Sequence, residues 1–409
     1  MIFFKTIKTK QIILSILIVL FSYTANARDN YSLQTGTHSV LNKVQKDLDD
    51  GKNEEALKKL EKIISSGNIK DYDSAVIYQT IGFIQNNLGD FKAAAENYTK
   101  ALSYEALPED ITHGLYYTIT QLLIYTEKYQ EGIEYILKWF AKEKEPKAEA
   151  YILAATAYYY LENYSEVINF ASKALPLIKT PPLNWYELLL AGYYETEDLN
   201  NAAIILENII VKYPAKKKYW IQLAGIYQRL EDDKKALAIY ELAYAKDFLK
   251  KKQIIQLCKN YLYFEMPYKA AVILEKEMAT GRIDNNLEML NMLVDAWILA
   301  QESEKAESVF TEIINSYNDE KSRLRLGQLL IENEEWEEAV GVLNVQLETE
   351  DITLLSKINL LLGIALFNSE NIAEAKESFT QALSDKNTEE QAKWWLDFIK
   401  RKNEAAKNS

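Results

Sequence analysis

Residues 217–247, KKYWIQLAGIYQRLEDDKKALAIYELAYAKD, decide the fold. Apolar residues recur three and four apart in two segments. Trp220, Leu223, Ala224 and Tyr227 mark the first; Ala236, Leu237, Tyr240 and Ala243 mark the second. That spacing is one face of an amphipathic helix. Between the segments, Leu230-Glu231-Asp232-Asp233 is short and polar, as the turn of an antiparallel helix pair requires. Ala224 and Ala236 are expected to face each other so that the backbones close in, with Trp220, Tyr227 and Tyr240 filling the grooves above and below. A hairpin of this size cannot bury such a face alone, so it needs neighbours of its own kind.

Those neighbours are written along the chain. The small residue early in the second segment, Ala236, has equivalents at Ala56, Ala94, Gly132, Val167, Ala202, Ala270, Ala306, Ala339 and Ala375. The spacing stays close to the ~34 residues of a helix-turn-helix repeat. Other positions keep phase. An apolar-then-small pair precedes the anchor by twelve or thirteen residues, as in Ile81-Gly82, Ala154-Ala155, Leu326-Gly327 and Leu362-Gly363. A bulky residue stands nine before it (Tyr158, Tyr193, Tyr227, Tyr261, Trp297, Leu330, Leu366). An aromatic or aliphatic residue stands four after it (Tyr98, Ile136, Leu206, Tyr240, Leu274, Phe310, Leu343, Phe379). Pro108, Pro146, Pro176 and Pro214 fall where units close, since proline cannot continue a helix.

On these residues, the chain resembles the tetratricopeptide repeat (TPR) family over residues 40–385. The resemblance implies an all-α fold, a right-handed superhelical solenoid of about ten helix-turn-helix units over residues 41–385. A capping helix over 386–402 and a short polar tail over 403–409 are expected to follow. In that last helix Trp394, Trp395, Phe398 and Ile399 are expected to form one apolar stripe that seals the open end. Two adjacent tryptophans point ~100° apart on a helix, so one of them is alternatively a partner anchor.

Residues 1–27 read as a secretory signal peptide. Lys5, Lys8 and Lys10 form a positive start, Ile12 to Phe21 is an apolar run, and Ala25-Asn26-Ala27 is a small-x-small cleavage site. The run is short of the ~20 residues of a membrane span. The expected address is therefore the periplasm, with cleavage after Ala27; the alternative is an uncleaved inner-membrane anchor. Residues 28–40 are expected to be a loose leader.

The formal charge is −13, which argues against nucleic acid and against direct binding to anionic lipid. The lone cysteine, Cys258, cannot form an internal disulfide. It occupies a small-residue position of a first helix, where burial is expected. The two histidines, His38 and His113, have no metal-binding spacing, and no glycine-rich phosphate loop is present. No cofactor or metal is expected, and no convergent catalytic group can be named, so the reading is non-enzymatic.

Binding remains. The first helix of each unit is expected to line the concave side. Its positions outside the packing signature hold Tyr117, Gln121, Tyr125, Tyr159, Tyr160, Tyr194, Arg229, Lys259 and Tyr263. Tyrosine with a few basic residues suits an extended peptide, offering contact area at small entropic cost and a polar tip. The alternative is that these rings only pack against adjacent hairpins. More narrowly, several features are similar to the periplasmic TPR proteins associated with TonB systems. They are the apparent signal peptide, the run Trp220-x-x-Leu223-Ala224 with Asp232 and Lys235-Ala236, and the closing Lys393-Trp394-Trp395-Leu396. That similarity implies an accessory role in TonB-dependent uptake of iron-siderophore complexes, through TonB, ExbB, ExbD or their associates. A scaffold for peptidoglycan or outer-membrane assembly is the alternative, and an enzyme subunit a further one.

Overall fold

A computed structural model describes residues 31–67, 69–346 and 350–407; the expected signal peptide lies outside them. Among the described residues every regular element is helical. The chain divides into two compact units, Met1–Glu231 and Asp232–Ser409.

In the first unit, hairpins follow one another: α1 (Thr35–Asp49) with α2 (Asn53–Ser65), α3 (Asp71–Leu88) with α4 (Phe91–Leu102), and α5 (Glu109–Tyr125) with α6 (Tyr129–Phe140). Then come α7 (Ala148–Tyr160) with α8 (Tyr164–Ala174), α9 (Leu183–Glu195) with α10 (Leu199–Lys212), and α11 (Lys217–Arg229). Each second helix also packs on the next first helix, and the first helices α5, α7 and α9 lie side by side. The second unit opens with α12 (Asp233–Ala245). It continues with α13 (Lys251–Tyr263), α14 (Pro267–Ala279), α15 (Leu287–Leu299), α16 (Ser303–Tyr317), α17 (Glu320–Glu332) and α18 (Trp336–Leu343). It closes with α19 (Ile352–Asn368), α20 (Ile372–Gln381) and α21 (Lys386–Lys407).

The repeating anchor is what holds a hairpin shut. Ala56, Ala94, Val167, Ala202, Ala236, Ala270, Ala306, Ala339 and Ala375 are all fully buried. The small residue twelve before the anchor receives the large one four after it. A methyl group built on Gly82 would come within 2.9 Å of the Tyr98 ring; on Gly363 it would reach 2.6 Å from Phe379. No Cβ fits at that distance, so glycine is what lets the two backbones approach.

Each first helix ends in the same way. The residue five before the anchor takes the left-handed conformation, and the two backbone N–H groups there return to the last turn. Glu127 N donates to the Ile124 carbonyl at 3.1 Å and Lys128 N to that of Leu123 at 2.8 Å. This is a Schellman closure, which usually carries glycine. Gly51 and Gly89 obey that rule, but Glu127, Glu162, Glu197, Glu231, Glu265, Glu334 and Glu370 do not. The next residue often caps the second helix: Asp90, Asn163, Asp198 and Asp232 each accept a backbone N–H of its first turn.

At its start, α1 begins at Thr35, six residues before the expected Leu41. The Gln34 N–H there is held by the buried Asp73 carboxylate at 3.0 Å. At the other end, α21 is longer than the expected helix and its aromatic residues divide. Ala392 and Ile399 are buried and Trp395 stacks on Phe379 at 5.4 Å, whereas Trp394 and Phe398 face solvent. The expected single stripe is thus two, because neighbouring residues on a helix diverge by ~100°.

Candidate functional site

The sequence-selected tyrosines fall into separate clusters. On α5, Tyr117 is half-buried with its ring 5.1 Å from that of Trp139. Burial pushes its hydroxyl pKa up, and the Glu149 carboxylate adds to this. His113 stacks on the same indole at 5.6 Å, and its Nε2 lies 3.0 Å from the Trp139 carbonyl oxygen, a hydrogen bond when that nitrogen carries the proton. The histidine thus serves to fix α5 on α6. Gln121 is half-buried one turn beyond Tyr117.

The last residue of a first helix meets the first residue of the preceding second helix. Tyr125 sits edge-on to Phe91 at 4.5 Å, and Tyr160 stacks on Tyr129 at 4.4 Å. One repeat later the position holds Glu195, whose carboxylate raises the pKa of Tyr164, behind burial as the larger cause. Tyr159 joins the two steps, 5.7 Å from Tyr160 and 6.1 Å from Tyr164. Its own hydroxyl is raised by burial first, then by Tyr164 and Glu195. Glu127 raises Tyr129 and Glu162 raises Tyr164, each after burial. The outcome is a continuous edge, Tyr129–Tyr160–Tyr159–Tyr164, set among Glu127, Glu162 and Glu195.

Tyr194 on α9 is half-buried; burial raises its pKa while the exposed Arg229 guanidinium works against that rise. The remaining two chosen residues belong to the second unit. Lys259 is exposed, and Tyr263 is 73% exposed, touching its neighbour Phe264 edge-on at 5.1 Å. Reading only first helices missed Phe91, Tyr129 and Tyr164. The signal was present: each stands three residues before an anchor.

In the second unit a different pattern secures hairpin to hairpin. Tyr261 donates its hydroxyl to Glu241 at 2.7 Å, and Tyr227 donates to Glu207 over the same sequence separation within the first unit. One repeat further, Glu277 is buried and accepts from the Tyr244 hydroxyl at 2.6 Å. Arg282 Nε lies 3.1 Å from its other oxygen, while the same guanidinium reaches Asp247 at 2.9 Å and the Leu249 carbonyl at 2.9 Å. Cys258 is buried nearby; burial, then the Glu277 carboxylate, pushes its thiol up to about 12. No group of three or more metal-ligating side chains occurs among the described residues.

Residues 68–106 and 356–384 match the family model described as Tetratricopeptide repeat, so the chain carries such repeats there. Among curated proteins none matches. Similar solved structures include a tetratricopeptide repeat protein from Parabacteroides merdae ATCC 43184, 16% identical, with a TM-score of 0.35 over 64% of this chain and 98% of that one. Others are MamA from Desulfovibrio magneticus RS-1 (20% identity, TM-score 0.35, 45% of this chain and 99% of that one) and YrrB. The YrrB structure is described as a TPR protein with an unusual peptide-binding site; it is 20% identical, with a TM-score of 0.35, over 47% of this chain and 99% of that one.

Proposed function

We propose that this protein is a non-enzymatic periplasmic adaptor that holds an extended, positively charged segment of an envelope protein against its tyrosine edge. The observation behind the reading is the Tyr129–Tyr160–Tyr159–Tyr164 run with Glu127, Glu162 and Glu195 about it. Rings supply flat contact area with a polar tip. The carboxylates favour cationic side chains and disfavour acidic ones. A net charge of −13 acts in the same direction. Tetratricopeptide repeats are protein-interaction modules, which fits an edge of this kind.

The finer part of the proposal is a role beside a TonB-dependent transport system, with TonB, ExbB or ExbD, or a protein bound to them, as the partner. It rests on the sequence resemblance alone. The test is affinity capture from periplasmic and membrane extracts, run beside a Tyr159→Ala/Tyr160→Ala variant whose helix content is verified by circular dichroism. The expected result is recovery of TonB-system proteins by the parent chain, weakened by added salt, and their loss from the variant. Equal recovery by both forms overturns the edge as the binding site. Recovery of cell-wall synthases in their place overturns the TonB assignment and leaves the adaptor reading standing.

A further inference from the structure

The outer face of α21 carries an indole, Trp394, that the end-sealing role does not use, beside Phe398, whose inner edge meets Phe367 of α19 at 5.8 Å. Trp395, Leu396 and Ile399 pack inward on the α19–α20 hairpin. Trp394 is 58% exposed and Phe398 40% exposed, yet the two rings stack on each other at 5.3 Å with planes 6° apart. They form a flat aromatic plate held on a rigid helix. Trp394 also stands edge-on to Trp395 at 5.1 Å, which fixes its orientation.

The charges on either side of this plate run in opposite senses. Glu390 lies one turn before it and Arg401 about one turn after it; Glu389 is held by Lys393 within the helix. Glu390, Trp394, Phe398 and Arg401 share a helix face at three- and four-residue spacing. A two-fold axis through the plate would turn one helix antiparallel to its copy. Counting from the centre at Leu396, Glu390 of one copy then falls within one residue of the position opposite Arg401 of the other, while Lys402 stays over the Phe367 ring of its own chain at 4.9 Å. The two symmetry-related Glu390–Arg401 pairs form at once, and plate meets plate. A self-complementary surface of this kind is what an isologous contact requires.

We propose that a second copy of this chain docks on the outer face of α21, forming an antiparallel helix pair centred on Trp394 and Phe398. The partner is chosen by charge: the acidic and basic ends of this helix complement each other only when one copy is reversed on the other.

The test is sedimentation velocity on the chain as recovered from cells, from about 1 to about 100 µM, with three sets of variants. Trp394→Ala/Phe398→Ala removes two exposed rings and should raise the dimer dissociation constant at least tenfold with unchanged circular dichroism. Glu390→Arg should weaken the dimer, as should Arg401→Glu. Combining the two charge reversals should restore it, because opposite signs then face again. A monomer at every concentration overturns the proposal. So does a dimer indifferent to loss of the two rings, or one that the combined reversal fails to restore.

Discussion

Glu197 stands where a side chain is unwelcome, with φ of +56° at the end of α9. An L-residue with a branched or long side chain crowds its own carbonyl in this conformation, whereas asparagine tolerates it. Glu197→Asn should therefore stabilise the protein by about 0.5–1 kcal/mol, read as a shift in the urea midpoint. The same relief should appear at Glu162 and be absent at Gly89, which already meets the backbone's demand. These glutamates were illegible in the sequence, since conformational preference at a helix end points to glycine or asparagine. Only the anchor period, counted back five residues, finds them. A second expectation concerns Cys258. With the thiol pushed up to about 12 by burial and the Glu277 carboxylate, almost no thiolate exists at pH 8. Iodoacetamide should leave it unmodified in the folded protein at that pH and alkylate it rapidly in denaturant.

At the scale of the helix, Trp220 tests the phasing. It is buried in α11 and its indole N–H donates to the Pro214 carbonyl at 3.1 Å. Trp220→Ala should cost about 3–5 kcal/mol, measured by chemical denaturation; a loss of a few tenths would mean that the ring is not core. Arg282→Ala probes another link. It strips a cation from buried Glu277 and cuts the tie to Asp247 and Leu249. About 2–3 kcal/mol is expected, below the usual loss for a broken buried pair because Arg282 keeps a third of its surface in water. Arg282→Lys should recover only part of it, since a single ammonium cannot reach three acceptors in a fork. The packing period made the helices and their inward faces readable, down to the small-against-large pairing of Gly363 with Phe379. Arg282 was not readable, because two of its partners, Asp247 and Leu249, lie in the turn one repeat earlier, and nothing periodic marks it. The tyrosine edge was half readable: Tyr159 and Tyr160 lie on the face that was searched, but their partners Tyr129 and Tyr164 start second helices.

At the scale of the whole molecule, the hairpins within each unit pass stress mainly to their nearest neighbours. Damage should therefore stay local. Gly363→Ala drives a methyl into the Phe379 ring, an overpacking worth about 1–3 kcal/mol. By hydrogen exchange, amides of α19, α20 and α21 should lose protection while those of α3 and α4 keep theirs. Equal loss at both ends would mean that the chain unfolds as one cooperative block.

The recurring turn glutamates also make the molecule measurable. Glu127, Glu162 and Glu197 are exposed, share one backbone conformation and mark successive hairpins of the first unit. Cysteine variants there, in a Cys258→Ser background, would give spin labels a common local frame. Their separations, read as dipolar distances, would report the pitch of this stack in solution, and any spread in them would report how far it stretches like a spring.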